Sequence, residues 1–343
     1  MVKLTDLDKK ILFELEKDGR ASYSKIARNI KTSPQVVKYH MARFRDEEVI
    51  KHFWAFIDYD RVGYSFFWGY WLKFSGLTKD QQDAMFLKLK ENKYIPIIFR
   101  CDGYADAFIA IIAQDVFSHN KILQEVFGEF GKYITMSEIV VGLGFLKFPR
   151  SYFLNKENEE ESVSVSGGFK KVVKLSELDQ KIISLLQIDG RMEFSEMAKV
   201  LGVTTGVVHR SYTKMIKKGI ITKTTFTLNY QSIGLRMFRV LFKIKQFNKE
   251  KVESLYQFCV KHPNIVNYVK VMGNWQLMLD IEIKDRKALR GLINQMKHDF
   301  NDIIFQVEVN EVYQIDKFTQ MAIEYPDLLS VKKEDVDNKE EEL

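Results

Sequence analysis

Two short stretches carry side chains able to reach a nucleic acid. QVVKYHMARFRDEE, beginning at residue 35, presents Gln35, Lys38, Tyr39, His40 and Arg43 at helical spacing. GVVHRSYTKMIKKG, beginning at residue 206, presents His209, Arg210 and Lys214, with Thr204 and Thr205 just ahead of it as Ser33 stands ahead of the first. These groups hydrogen-bond base edges in the major groove of double-stranded DNA, or phosphate oxygens beside it, and they do so from the N-terminal half of a helix. For either helix alone, the competing reading is a solvated amphipathic face. No metal site is implied, because His40 and His209 fall at non-equivalent positions and neither has a second ligand three or four residues away.

The elements that hold these helices occur twice. LDKKILFELEKDGR at residues 7–20 returns as LDQKIISLLQIDGR at residues 178–191, matching at eight of fourteen positions with an offset of 171. Ala27 and Ala198, Val37 and Val208, Ile50 and Ile221, Tyr59 and Tyr230, and Gly63 and Gly234 keep that offset, and Gly103 meets Gly273 after a slip of one. A chain that repeats itself is two versions of one unit. Thr5 ahead of Asp8, and Ser176 ahead of Asp179, resemble capping boxes with Asp in the acidic place. The first helices then carry Leu7, Ile11, Leu12 and Leu15, or Leu178, Ile182, Ile183 and Leu186, on one face. Asp-Gly-Arg ends each, the glycine being expected to take a left-handed C-terminal conformation. A second helix is expected over 23–30 and 194–201, and Ser33-Pro34 signals the start of the third. Val37, Met41 and Phe44, or Val208, Tyr212 and Met215, turn inward, which makes each triplet a helix-turn-helix.

Charge distribution agrees with a polyanionic partner. The chain is +6, yet residues 155–168 and 331–343 are each −3, which leaves +12 on the rest. Residues 1–52 hold twelve basic against eight acidic groups and residues 172–225 nine against five, so each triplet offers a basic surface. The acidic stretches read as flexible peptide, a linker and a disordered tail. Two cysteines outside any CxxC, no apolar N-terminal core and no run long enough to span a bilayer point to a cytoplasmic protein with no membrane partner and no cofactor.

After each triplet comes an extended run, Lys51 to Tyr59 and Lys223 to Tyr230, followed by strand, helix, two strands, helix and strand. The elements are expected near 65–74, 79–91, 95–101, 105–113, 115–130 and 134–145, and again near 237–246, 249–261, 265–272, 275–283, 285–300 and 303–313. This βαββαβ order is the ferredoxin-like plan. The fold class is therefore α+β, two tandem units, each a winged, three-helix helix-turn-helix domain and a ferredoxin-like domain. The divisions are 1–52, 53–150, a flexible acidic linker over 151–172, 173–222, 223–325 and a disordered tail over 326–343. Tyr64, Phe66, Trp68 and Tyr70 alternate with Phe67 and Trp71, so this strand is apolar on both faces and one face needs a partner sheet.

Taken together, LDKKIL…DGR, IARNIKTSPQVVKYHMARFRDEEVI, DYDRVGY and the GYAD turn, answered by LDQKII…DGR, MAKVLGVTTGVVHRSYTKMIKKGII, NYQSIGL and GNWQ, resemble the Lrp/AsnC family of transcription regulators. The resemblance covers nearly the whole chain twice. It implies an N-terminal helix-turn-helix that binds operator DNA and a ferredoxin-like domain that pairs subunits and often binds an amino acid near the pairing surface. The family turn reads Gly-x-x-Asp, which nominates Gly103, Asp106 and Gly273 for an amino-acid effector, although Gln276 stands where the second acid is expected. Lys31 and Glu48 replace glycines common in the family. The duplication implies that the two ferredoxin-like domains pair within one chain, that further homo-oligomers form, and that the source is archaeal. Siroheme decarboxylases resemble the same architecture, but the middle strands here lack the His-Asn-Tyr-type cluster that this second resemblance implies, and no other catalytic constellation is present. The chain is thus expected not to be an enzyme, and the remaining alternative to a DNA-binding regulator is a small-molecule sensor without DNA binding.

Overall fold

The computed structural model describes residues 1–64, 66–158, 163–168, 170–245 and 248–319; the tail expected over 326–343 lies outside the described residues. The first unit comprises α1 (Asp6–Lys17), α2 (Tyr23–Ile30), α3 (Pro34–Asp46), β1 (Ile50–Ile57), β2 (Phe66–Phe74), α4 (Lys79–Glu91), β3 (Ile97–Gly103), β4 (Ala107–Ala113), α5 (Val116–Phe130) and β5 (Ile134–Lys147). A short strand, β6 (Ser164–Gly167), separates it from the second. That unit repeats the order as α6 (Glu177–Ile188), α7 (Phe194–Leu201), α8 (Thr205–Lys217), β7 (Ile221–Leu228), β8 (Arg236–Ile244), α9 (Lys249–Lys261), β9 (Ile265–Gly273), β10 (Leu277–Ile283), α10 (Arg286–Asp299) and β11 (Ile304–Phe318).

Local chemistry explains the helix ends. Thr5 and Asp8 form a full capping box, as do Ser176 and Asp179, each satisfying two amide groups that a helix start leaves unpaired. Lys31 and Glu48 sit at φ 57° and 51°, where the second unit has Gly202 and Gly219 at 65° and 64°. The first unit therefore holds two side chains in a left-handed conformation that costs about 1–2 kcal/mol each.

The two four-stranded sheets close on each other. β3 pairs with β11 and β5 with β9, all antiparallel, so β2, β4, β3, β11, β8, β10, β9 and β5 form a closed eight-stranded barrel. Closure removes four exposed sheet edges at once. It also supplies the partner that the aromatic strand requires. Trp68, Tyr70 and Leu72 lie under α4 and α5 with Phe86 and Ile122, whereas Trp71 faces inward among Phe99, Phe108, Leu241 and Met278. Arg239 and Asp280 meet inside the barrel through two hydrogen bonds of 2.6 and 2.7 Å. The Arg239 guanidinium lies 4.6 Å from the ring centres of both Phe99 and Phe108 of the other unit.

The helical triplets also pack on each other's linking strands. β1 and β7 pair antiparallel as a two-stranded ribbon, and the first helix of each triplet packs on the strand of the other unit. α1 shares its core with Phe226 and Leu228 of β7, and α6 shares its core with Ala55 and Ile57 of β1. This exchange corrects the expectation for the Asp-Gly-Arg glycines. Neither Gly19 nor Gly190 is left-handed; a Cβ would lie 2.8 Å from the Thr224 oxygen at Gly19 and 2.8 Å from the Trp54 nitrogen at Gly190. Glycine is required there because another backbone passes too close for a side chain.

Two described parts of the stretch from 151 to 172 also depart from the flexible linker expected of it. Residues Ser151–Leu154 make a tight 3-10 turn with Phe153 buried, and β6 pairs with β5. Ser166 Oγ accepts from the Tyr59 amide at 3.1 Å and donates to the Ile57 carbonyl at 3.0 Å. Alternation over Ser164-Val165-Ser166 is a strand signal, and the acidic residues that set the composition of the segment precede it.

Lys147 and Lys317, equivalent in the repeat, are used differently. Lys147 faces Glu16, while Lys317 Nζ donates to the Lys90 and Asn92 carbonyls at 2.9 and 2.8 Å. Burial first, and then nearby Lys90, push the Lys317 pKa down to about 8. Above that pH the folded chain releases a proton that the unfolded chain keeps until about 10.4, so Lys317 adds stability as pH rises from 8. Buried Cys101 and Cys259, pushed up by burial, act oppositely. The readout is therefore a comparison: urea midpoints of wild type and Lys317→Met at pH 7.5 and 9.5 should shift in favour of wild type by on the order of 1 kcal/mol. A constant difference between the two proteins would show that Lys317 titrates normally.

Candidate nucleic-acid interface

Each third helix is fastened to its first helix by the acid of the capping box. In the first unit Asp8 accepts from Arg43 at 2.6 Å and pairs with His40 Nδ1 at 2.6 Å. Burial opposes ionisation of Asp8, but hydrogen bonds from Thr5, Arg43 and His40 outweigh it and hold the carboxyl below its usual range. In the second unit Asp179 accepts from Ser211 and from Lys214, the latter at 3.3 Å, and its carboxyl is lowered in the same way, with burial opposed by Ser211, Ser176 and Lys214.

These clasps sort the expected reading residues. His40 is 8% exposed and Arg43 is half-buried on Asp8, so His40 is corrected from a solvent-facing group to an anchor, and Arg43 offers only its remaining edge. Lys214 keeps half its surface beside Asp179. Ser33 is occupied as the cap of α3, its Oγ accepting from the Val36 amide at 3.3 Å; Thr204 occupies the cap position of α8 without that side-chain bond. Gln35, Lys38 and Tyr39, and Thr205, His209 and Arg210, remain exposed on the outer faces, with Tyr39 at 65%. His209 meets the Phe194 ring edge-on at 5.5 Å.

Sequence reasoning missed two basic groups. Arg45 and Lys51 join Lys38 around an open cavity of about 450 Å³ that Asp189 and Arg191 of the other unit also line. Lys51 opens the linking strand rather than the third helix, and only the exchange of strands brings Arg191 to it.

Gly103, Asp106 and Gly273 come to the two turns at the pairing surface. Gly103 and Gly273 lie at φ 138° and 137°, where a Cβ would be 2.3 Å from the Val309 oxygen and 2.8 Å from the Ile139 oxygen of the other unit. Asp106 accepts from the Phe74 amide at 2.8 Å, and Gln276 accepts from the equivalent Ile244 amide at 3.0 Å. Gln276 thus preserves the clasp despite the lost charge. The turns meet through Tyr104 and Trp275, edge to face at 5.5 Å.

Comparisons with known proteins agree with this layout. Residues 4–51 match the model for winged helix-turn-helix DNA-binding domains, and residues 175–216 match that for the AsnC-type helix-turn-helix domain. The HTH-type transcriptional regulator FL11 of Pyrococcus furiosus is 27% identical over 123 residues, covering 36% of this chain and 80% of that protein. Its Pyrococcus horikoshii counterpart is 28% identical over the same shares. The crystal structure of the siroheme decarboxylase NirDL superposes with a TM-score of 0.60 at 10% identity, covering 98% of this chain and all of that one, which is a likeness of fold. Among the described residues no helix is long and apolar enough to cross a membrane.

Proposed function

We propose that the chain, an Lrp/AsnC-type DNA-binding transcription regulator present as a tandem duplication, grips its operator as a single-chain pseudo-dimer with two unlike reading heads; two helix-turn-helix matches and the likeness to HTH-type regulators support the reading. One observation carries the proposal: equivalent exposed positions of the two third helices hold different chemistry, Lys38 against His209 and Tyr39 against Arg210. An Arg fork selects guanine, whereas Gln35 in the first head suits adenine. The operator is then asymmetric, with half-sites about one helical turn or a multiple apart.

The reading extends to non-catalytic action in the cytoplasm. Two barrel cavities, one beside Arg239 and one beside Arg150, measure about 30 and 40 Å³, room for a water or two rather than a macrocycle, which favours a regulator over an enzyme acting inside the barrel. An amino-acid effector at the paired turns, and further self-association, belong to the same proposal.

The test is retention of genomic fragments across a salt series, with the retained fraction sequenced. Lys38→Ala with Tyr39→Ala should relax one half-site and His209→Ala with Arg210→Ala the other, each weakening specific binding about 10- to 100-fold. Retention that fades with salt and yields no motif, for wild type as well, would sink the proposal.

A further inference from the structure

We propose that Arg20 and Arg191 are positioning residues that lock the two heads at one separation, so that the duplicated Asp-Gly-Arg motif sets operator spacing. The inference rests on the two-headed reading above, and the observations for it are reciprocal. Arg20 reaches across the pseudo-dyad, Nη1 donating to the Gly190 carbonyl at 2.6 Å and Nη2 to the Met192 carbonyl at 3.0 Å. Arg191 reaches back, Nη1 donating to the Gly19 carbonyl and Nη2 to the Ala21 carbonyl, the latter at 3.2 Å. Each guanidinium also covers aromatic rings: Arg20 lies 4.7 Å from Phe194 and 5.5 Å from Tyr212, and Arg191 lies 5.5 Å from Tyr23 and 5.4 Å from Phe53.

All three residues of the motif serve this junction. Asp18 and Asp189 accept from the amides of Arg20 and Arg191 at 3.0 and 2.9 Å, which shapes each turn. Gly19 and Gly190 admit the strand of the other unit, their amides donating to the Thr224 and Phe53 carbonyls at 2.9 and 2.7 Å. The arginines then tie each turn to the opposite one. The forks end on Gly190 and Met192 just ahead of α7, and on Gly19 and Ala21 just ahead of α2, and each guanidinium covers the ring of that helix's first residue, Phe194 or Tyr23, so each arginine touches the helix that precedes the opposite recognition helix. A planar fork bonding two carbonyls at once fixes orientation as well as distance, which a lysine does not. Two rigidly linked heads engage two half-sites together only when the spacing matches, and that coupling gives them high effective concentration.

The experiment compares wild type, Arg20→Ala/Arg191→Ala and Arg20→Lys/Arg191→Lys, each with Glu47→Cys and Lys218→Cys carrying spin labels, since native Cys101 and Cys259 are buried. Two readouts are taken, the label-to-label distance distribution and affinity for operators in which half-site spacing is varied base pair by base pair. The clasp predicts a narrow distribution and one sharp optimum in wild type. In the double alanine variant the distribution broadens and affinity at the optimum falls about tenfold or more, while affinity at other spacings stays within about twofold; the lysine variant, which keeps the charge and the fold, falls between. An unchanged distribution in both variants, or an unchanged optimum, overturns the clasp. A wild type indifferent to spacing overturns the two-headed reading instead, and leaves the distance distribution to decide whether the arginines lock the heads.

Discussion

Arg150→Met is expected to cost about 3–5 kcal/mol of stability. Arg150 is the centre of a buried network that joins three parts of the chain. Its Nε and Nη2 donate to the two Glu282 oxygens at 2.8 and 2.9 Å, and its Nη1 bonds Glu16 at the end of α1. Lys147 lies 3.5 Å from Glu16, and Tyr152 donates to Glu282 at 2.5 Å. Removing the guanidinium leaves the Glu16 carboxylate beside Lys147 and the Glu282 carboxylate with Tyr152, both out of water, and an unpaired buried charge costs more than the lost attraction. Burial opposes ionisation of Glu16, but Lys147, Arg150 and Lys223 outweigh it and hold the carboxyl below 4.5. A depressed carboxyl contributes stability above its unfolded value near 4.5, and that contribution is lost as pH falls through the folded value. Urea denaturation at pH 7.5 should therefore show the full loss in Arg150→Met, and the gap from wild type should close as pH falls through the folded value of Glu16. Because Glu16 belongs to the first head and Glu282 to the barrel, the same variant should free that head, seen as faster amide exchange in α1. A midpoint within about 0.5 kcal/mol of wild type would mean that water enters and replaces the arginine.

What could be read from the chain was local, and what could not was the exchange between units. Thr5 with Asp8 and Ser176 with Asp179 announce helix starts because a capping box needs only four consecutive residues, and the structure has both. Strand alternation and helical spacing likewise place the βαββαβ order within a few residues, since both periods are intrinsic to the backbone. The role of Gly19 was hidden: the backbone that excludes a side chain there belongs to Thr224, two hundred residues away. His40 was legible and misread. It follows Val37 by three residues and precedes Phe44 by four, both fully buried, so helical periodicity alone puts it on the inner stripe. Its polarity suggested solvent, whereas Asp8 supplies a buried partner. Arg45 and Lys51 were missed because the cavity they share exists only once Arg191 arrives from the other unit.

The barrel interior poses the sharper energetic question. Arg239 and Asp280, 1% and 0% exposed, face each other directly in the β8–β10 register, and Asn267 donates to Asp280 at 2.9 Å. At the equivalent positions the first unit has Gly69 and Ala110, so one half of the barrel does without the pair. Either Arg239→Met or Asp280→Leu alone should cost about 3–5 kcal/mol, because the first leaves the buried Asp280 carboxylate with Asn267 alone and the second leaves the guanidinium against Phe99 and Phe108. Combined as Arg239→Met/Asp280→Leu, they should recover most of that loss, since burying two well-packed apolar side chains avoids desolvating two ions. The resulting coupling energy, read from a four-protein denaturation cycle, should exceed about 2 kcal/mol. A near-additive double variant would show instead that the barrel depends on the guanidinium itself, through its contacts with the two phenylalanine rings. Recovery of stability also permits a specificity test: if the pair selects the β8–β10 register, the recovered double variant should show strand-register heterogeneity by hydrogen exchange while remaining folded.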